Sequence, residues 1–323
     1  MRAALVDEIG RLPTVRDVPE PERGEGRALV EVTAAPLNPI DLSIAGGRFY
    51  ERATELPYVP GKEALGRVLE SDSLSAGTRV YFPMPGGLGG AGAFSERAAP
   101  LEEQAITVPD GVDDALAACL GVAGLAAWLP LEWRADLREG ESVLVLGASG
   151  AVGQIAVQAA RLLGARVVVA AARDAGGLER ARELGADATV DLTAADEPER
   201  LAEAIEAAAG GPVDVTVDPL WGAPVAAAAL AAARGGRIVQ IGQSAGPEAT
   251  LASAPIRGKL LSVLGHANPG APPDVTADAY RRMVEHAAAG RLTVDHETVP
   301  LERVAEAWER QAAFPRRKLV LVP

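Results

Sequence analysis

The sequence predicts an α/β protein: a doubly wound parallel sheet, preceded by a smaller, mostly β domain. Three observations carry that prediction. Residues 143–153, VLVLGASGAVG, run from apolar strand through glycine turn to helix. Strand-like and helix-like segments then alternate as far as residue 241, a pattern that builds a parallel sheet covered by helices on both faces. The first hundred residues instead hold short strand-like runs divided by Gly, Pro and Ser, with no long helix.

Taken in order, residues 2–6 read as a strand, 11–27 as turns, and Ala28–Ala35 as a second strand. Pro36, Pro39, Gly46 and Gly47 break the chain into loops and a short helix. Short strands follow near 65–70, 79–82 and 93–99. PMPGGLGGAG at 83–92 has five glycines and reads as a functional loop. An alanine-rich helix spans 113–128. Strands at 143–146, 166–171, 188–190 and 213–217 lead to helices at 151–163, 177–184, 198–209 and 222–233, and a strand at 237–241 closes the series. The tail reads as strand 259–264, helix 277–289, strand 292–295, helix 301–311 and strand 318–322. This gives three segments: 1–118, 119–260, and a tail 261–323 returning to the first domain.

Composition narrows the function. With 323 residues, both domains can hold a core. The net charge is −13, from 44 acids and 31 bases spread along the chain, with no basic stripe carrying aromatic platforms, so a nucleic-acid partner is not expected. No apolar stretch is long enough to span a bilayer. MRAALVDEIG reads as a strand, not a signal peptide. The lone cysteine, Cys119, excludes an internal disulfide and a four-cysteine zinc lobe. It reads as a small buried packing residue, with a redox or metal role as the alternative. The cytoplasm is the expected compartment.

The glycine segment has a chemical reason for its order. Gly147 permits the sharp turn, Gly150 lets backbone approach a pyrophosphate, and Gly153 lets the helix pack on the strand. Exposed N–H groups at the helix start then hold the anion. Gly147, Ser149, Gly150, Ala151, Val152 and Gly153 are therefore the candidate dinucleotide contacts. The motif lacks the GK[ST] ending of a triphosphate loop.

The chain resembles the zinc-independent branch of the medium-chain dehydrogenase/reductase superfamily, the quinone oxidoreductases and enoyl reductases. The resemblance rests on Leu37-Asn38-Pro39-Ile40-Asp41, Pro60-Gly61-Lys62-Glu63, Gly66, Gly92-Ala93-Phe94-Ser95-Glu96 and Val122-Ala123-Gly124-Leu125. The glycine motif, Gly185-Ala186-Asp187 and Gly235-Gly236-Arg237 complete it. It implies a GroES-like catalytic domain, a Rossmann cofactor domain, a cleft between them and a homodimer. In zinc members, ligands stand at the positions of Asn38, Lys62 and near Val122. These three residues cannot form a tetrahedral zinc site, and His266, His286 and His296 lack ligand spacing, so no metal is expected.

Cofactor choice turns on the end of the second strand, Val167 to Arg173. An acid there would accept the ribose hydroxyls of NAD. Arg173 instead suits the 2′-phosphate of NADPH, or is a surface arginine opening a helix. Asp174 either neutralises it or accepts the hydroxyls itself. The resemblance adds Arg316 or Arg317 as a second basic group. NADPH is the expected cofactor, with Ile241, Gly242 and His266 as further contacts.

For the substrate side the resemblance places Asn38 near the nicotinamide, either donating to a carbonyl or capping the turn before Pro39. Tyr50 could line the mouth of the cleft. Lys62 either stabilises a developing enolate or pairs with Glu63 or Asp41. The usual threonine after Gly124-Leu125 is replaced by Ala126. The expected reaction is hydride transfer from NADPH to a quinone, enone or enal. The alternatives are a zinc-free alcohol dehydrogenase or carbonyl reductase, and a non-catalytic NADPH-binding protein.

Overall fold

The computed structural model describes residues 1–50, 55–195 and 197–323. The chain divides into two units, one of 1–122, 280–290 and 294–323, the other of 123–279 and 291–293. The chain begins with β1 (Arg2–Leu5), β2 (Thr14–Asp17), β3 (Leu29–Pro36), α1 (Pro39–Ala45) and β4 (Glu63–Glu70). Next come β5 (Arg79–Pro83), β6 (Arg97–Ala98), β7 (Ile106–Thr107) and α2 (Asp114–Cys119). After α3 (Val122–Leu129) come β8 (Ser142–Leu146), α4 (Ala151–Leu162), β9 (Val167–Ala172), α5 (Ala175–Glu183), β10 (Ala188–Asp191) and α6 (Pro198–Ala209). Then follow β11 (Val213–Asp218), α7 (Gly222–Ala231), β12 (Ala232–Gln240), α8 (Ser253–Gly258) and β13 (Ser262–Gly265). The chain ends in α9 (Pro273–Ala288), β14 (His296–Pro300), α10 (Val304–Ala312) and β15 (Lys318–Val322).

The first unit is built on a seven-stranded sheet in the order β14-β15-β3-β4-β5-β7, with β6 also on β3. Its strands alternate as a half-buried sheet requires. In β3, Val30, Val32 and Ala34 are buried while Glu31 is exposed. The tail contributes two strands, β15 pairing antiparallel with β3 through Val320–Pro36 and Leu321–Ala35.

The second unit is a parallel sheet ordered β10-β9-β8-β11-β12-β13. All of β8, SVLVL, is buried, as a strand covered on both faces must be. Fully burying a side chain such as Leu144 or Leu146 is worth about 1.5–3 kcal/mol over exposure. The face of α4 that carries Ile155, Ala156, Ala159 and Ala160 is buried. The winding reverses between β8 and β11, and in such sheets ligands bind beyond the strand C-termini at that point.

The structure differs from the sequence expectation at several elements. The helix expected over 113–128 is two, broken at Leu120-Gly121. A Cβ on Gly121 would lie 2.0 Å from Glu63 Oε2, and that carboxylate accepts the Val122 N–H. A long-range partner therefore sets the break. β2 lies inside the stretch expected to be turns, because its largely exposed residues pair with β1 without an apolar pattern. In the stretch 93–99 only Arg97–Ala98 joins a ladder. Leu292 and Val294 are buried outside any strand, and the expected strand near 292–295 forms instead at 296–300. No helix among the described residues is long and apolar enough to cross a membrane.

Candidate functional site

In the second unit the chain leaves β8 through Gly147, whose φ of +65° is open to glycine at no steric cost. Gly150 caps α4 without any side-chain hydrogen bond, so the first-turn N–H groups of Ala151 and Val152 stay available. The glycines divide the work. A Cβ at Gly153 would stand 2.4 Å from the Gly147 carbonyl, while one at Gly150 meets nothing closer than 3.7 Å. Gly153 thus serves packing, and the protein leaves the face of Gly150 clear. Ser149 packs against the start of α5, where a Cβ on Gly177 would come within 2.2 Å of its own Cβ. An anionic pyrophosphate fits this turn by donor chemistry and by space.

Arg173 is exposed immediately after β9. Among the described residues its guanidinium has no hydrogen-bond or ion-pair partner. Asp174 is the N-cap of α5, its carboxylate accepting the Gly177 N–H at 2.6 Å. Arg317 is exposed before β15, in the first unit.

Ile241 donates its N–H to the Asp218 carbonyl at 2.9 Å, and His266 donates its own to the Gln240 carbonyl at 2.9 Å. A Cβ on Gly242 would lie 2.7 Å from the Pro219 carbonyl oxygen. The glycine turn, Ile241, Gly242 and His266 therefore hang on neighbouring strand ends. The His266 ring sits edge-on to Trp133, and Nε2 lies 3.2 Å from Asn268 Oδ1. Burial lowers its pKa, which keeps the imidazole neutral at pH 7. Asp218, at the end of β11, was not singled out by the sequence. An acid closing an apolar strand just before a proline was the available signal.

In the first unit a second set of groups converges. Asn38 precedes α1 and is 1% exposed. Its side-chain amide donates to the Pro36 carbonyl at 3.1 Å and to Glu63 Oε1 at 2.9 Å. Its oxygen accepts from Lys318 Nζ, which also donates to the Leu37 carbonyl at 2.9 Å. Glu63 Oε2 accepts from Tyr81 Oη at 3.1 Å and from the Val122 N–H at 2.5 Å. Asp41 Oδ2 accepts the Asn38 backbone N–H at 2.8 Å and so braces the loop.

Burial dominates the electrostatics. It raises Asp41 to about 7, with Lys318 and Lys62 opposing it among the smaller effects. It raises Glu63 too, opposed first by Lys318. It lowers Lys318, opposed first by Glu63. Each of the two groups is thus the foremost influence opposing the effect of burial on the other.

Both N–H bonds of the Asn38 amide are engaged within the protein, so none is left over for a substrate carbonyl. Asn38 stands at the N-cap of α1 and shares a capping box with Asp41, which makes it a positioning residue in this arrangement. Lys62 Nζ donates to the Pro85 carbonyl at 2.8 Å, at the start of the glycine-rich loop. Tyr50 stands apart, 82% exposed, its ring 4.1 Å from that of Phe49. Lys318 and Tyr81 were missed by the sequence, since a lysine opening a terminal strand reads as surface charge. Among the described residues no group of three or more His, Cys, Asp or Glu is placed to hold a metal ion.

Comparison with known proteins agrees with both units. Residues 24–110 match the alcohol dehydrogenase GroES-like domain family, and 151–287 match the zinc-binding dehydrogenase family. The chain is 34% identical over 185 residues to a 2-methylene-furan-3-one reductase of Solanum lycopersicum, covering 55% of this chain and 47% of that protein. It spans about half the length of the first curated relatives it matches. The quinone oxidoreductase of Thermus thermophilus, solved also in complex with NADPH, superposes with TM-score 0.83 at 28% identity, covering 100% of both chains. An NAD-dependent alcohol dehydrogenase superposes with TM-score 0.88 at 27% identity, also over 100% of both.

Proposed function

This chain belongs to the medium-chain dehydrogenase/reductase superfamily, and from that premise we propose that it is an NADPH-dependent reductase of quinones or α,β-unsaturated carbonyls that works without a metal. The observation that carries the reading is the second unit's turn: available N–H groups, a clear face at Gly150, and Arg173 beyond β9, which has no partner among the described residues. The N–H groups of Ala151 and Val152 hold the pyrophosphate. Arg173 takes the 2′-phosphate in paired contacts. Asp174, occupied as a helix cap, does not compete for the ribose. Ile241, Gly242 and His266 line the ribose and nicotinamide.

When bound, the reduced nicotinamide supplies hydride to the β-carbon of an enone or enal, or to a quinone ring. At the positions where zinc relatives carry ligands, this chain presents an amide, an ammonium and an aliphatic side chain at Asn38, Lys62 and Val122. A conjugated acceptor suits such a site, because it spreads incoming charge onto oxygen and needs no Lewis acid. Asn38 holds Glu63 and the loop before α1 in register. Lys62 supplies positive charge beside the glycine-rich loop. Water returns the proton. The protein works as a homodimer in the cytoplasm.

The test is NADPH oxidation with a small quinone, an enone, and the matching saturated aldehyde. Turnover is expected with the first two and little with the third. With deuterated NADPH the label should reach the β-carbon of the enone product. Faster reduction of the saturated aldehyde would replace this reading with an alcohol dehydrogenase.

A further inference from the structure

The turn after β11 carries a buried acid and a backbone strain. Asp218 is 0% exposed. Its Oδ1 accepts the N–H groups of both Leu220 and Trp221 at 2.9 Å, while Oδ2 is buried with no partner. Trp221 has φ +55° and ψ −150°, beside a region that glycine alone enters readily. A bulky side chain stays there only when its surroundings over-determine it.

The surroundings do so from two sides. Pro219 and Leu220 stand 3.1 Å from where a Cβ on Gly147 would lie. On the other side Ser244 donates to the Pro219 carbonyl at 3.2 Å and Ala245 to the Leu220 carbonyl at 2.8 Å. The strained turn is therefore the piece that joins the glycine turn after β8 to the segment after β12. It lies where the winding of the sheet reverses.

We propose that Asp218 is a positioning residue of the dinucleotide site: by pinning Leu220 and Trp221 it holds the strained turn, which in turn fixes the Gly147 turn against Ile241–Ala245 and sets cofactor affinity. The inference rests on the cofactor reading above. Its physical content is an exchange. Two hydrogen bonds to a buried acceptor offset the unfavourable Trp221 backbone. Without the acceptor, Trp221 relaxes, the turn shifts, and both flanking segments lose their register.

The test is a double-mutant cycle read by calorimetric titration of NADPH and NADH, with thermal melts alongside. Asp218→Ala should weaken binding of the preferred dinucleotide about tenfold or more, and Asp218→Asn, which keeps one acceptor oxygen, about threefold or less. Glycine needs no such support, so Trp221→Gly/Asp218→Ala should bind within about threefold of Trp221→Gly alone. A purely structural acid would lower the melting temperature of Asp218→Ala and leave the dissociation constant of the folded protein unchanged. That result overturns the inference, as does failure of Trp221→Gly to rescue or of Asp218→Asn to outperform alanine. If Asp218→Ala does not fold, the double variant must fold and bind, or the proposal falls. A parent protein that binds neither dinucleotide would instead remove the cofactor reading itself.

Discussion

Lys318 donates a hydrogen bond to the side-chain oxygen of Asn38, joining residues 280 positions apart in a buried site. The lysine opens the last strand, and the asparagine precedes the first helix of the same unit. Through Asn38 the ammonium is linked to Glu63, whose carboxylate also holds the start of α3. A buried acid, amide and ammonium thus tie the tail to the first domain.

Removing one charge from that group leaves the other uncompensated. Lys318→Met should therefore destabilise the protein by about 3–5 kcal/mol, the range for a broken buried pair. Adding Glu63→Gln should recover part of the loss, because it removes the orphaned charge. Chemical denaturation of the parent, the two single variants and the double variant measures this. Additive losses would show that the two side chains act independently.

Asp41 gives a pH dependence of definite sign. Its folded-state pKa of about 7 lies above the ordinary carboxylate value. The folded protein therefore holds the proton longer than the unfolded chain does. The resulting stabilisation is complete below about pH 4 and is lost as pH rises through about 7, at up to about 1.4 kcal/mol per pH unit. Asp41→Asn should flatten that part of the stability profile. A parent and variant with parallel profiles between pH 4 and 7 would contradict it.

Arg173→Ala tests the cofactor preference. NADPH should bind the parent more tightly than NADH by about 1.5–3 kcal/mol, the size of a charge-assisted contact. The substitution should erase most of that margin and leave NADH binding nearly unchanged. Separate titrations of both dinucleotides decide it, and equal affinities in the parent would refute the assignment of Arg173.

Gly153→Ala probes the glycine turn by size alone. The new methyl would sit 2.4 Å from a backbone oxygen and 2.5 Å from the Ala148 Cα. Backbone yields little, so a loss of about 1–3 kcal/mol is expected, with weaker dinucleotide binding. Gly150→Ala meets no such contact within the protein, so it should keep stability and lose affinity. The contrast between the two variants is the readout.

The sequence by itself determined the second unit almost completely. Its strands are continuous apolar runs, its helices have one buried face, and its glycines mark the turn, because each of these signals is local. The place of the Gly147 turn after β8, and of Arg173 just beyond β9, was legible for the same reason. Long-range contacts decided the rest. The helix break at Gly121 depends on Glu63, the strand at 14–17 on pairing with β1, and the engagement of the Asn38 amide on Lys318. Asp218 likewise gains its meaning only from the strained backbone it holds. A buried charge is stable only where folding brings its partner within hydrogen-bonding distance, and no spacing along the chain records that distance.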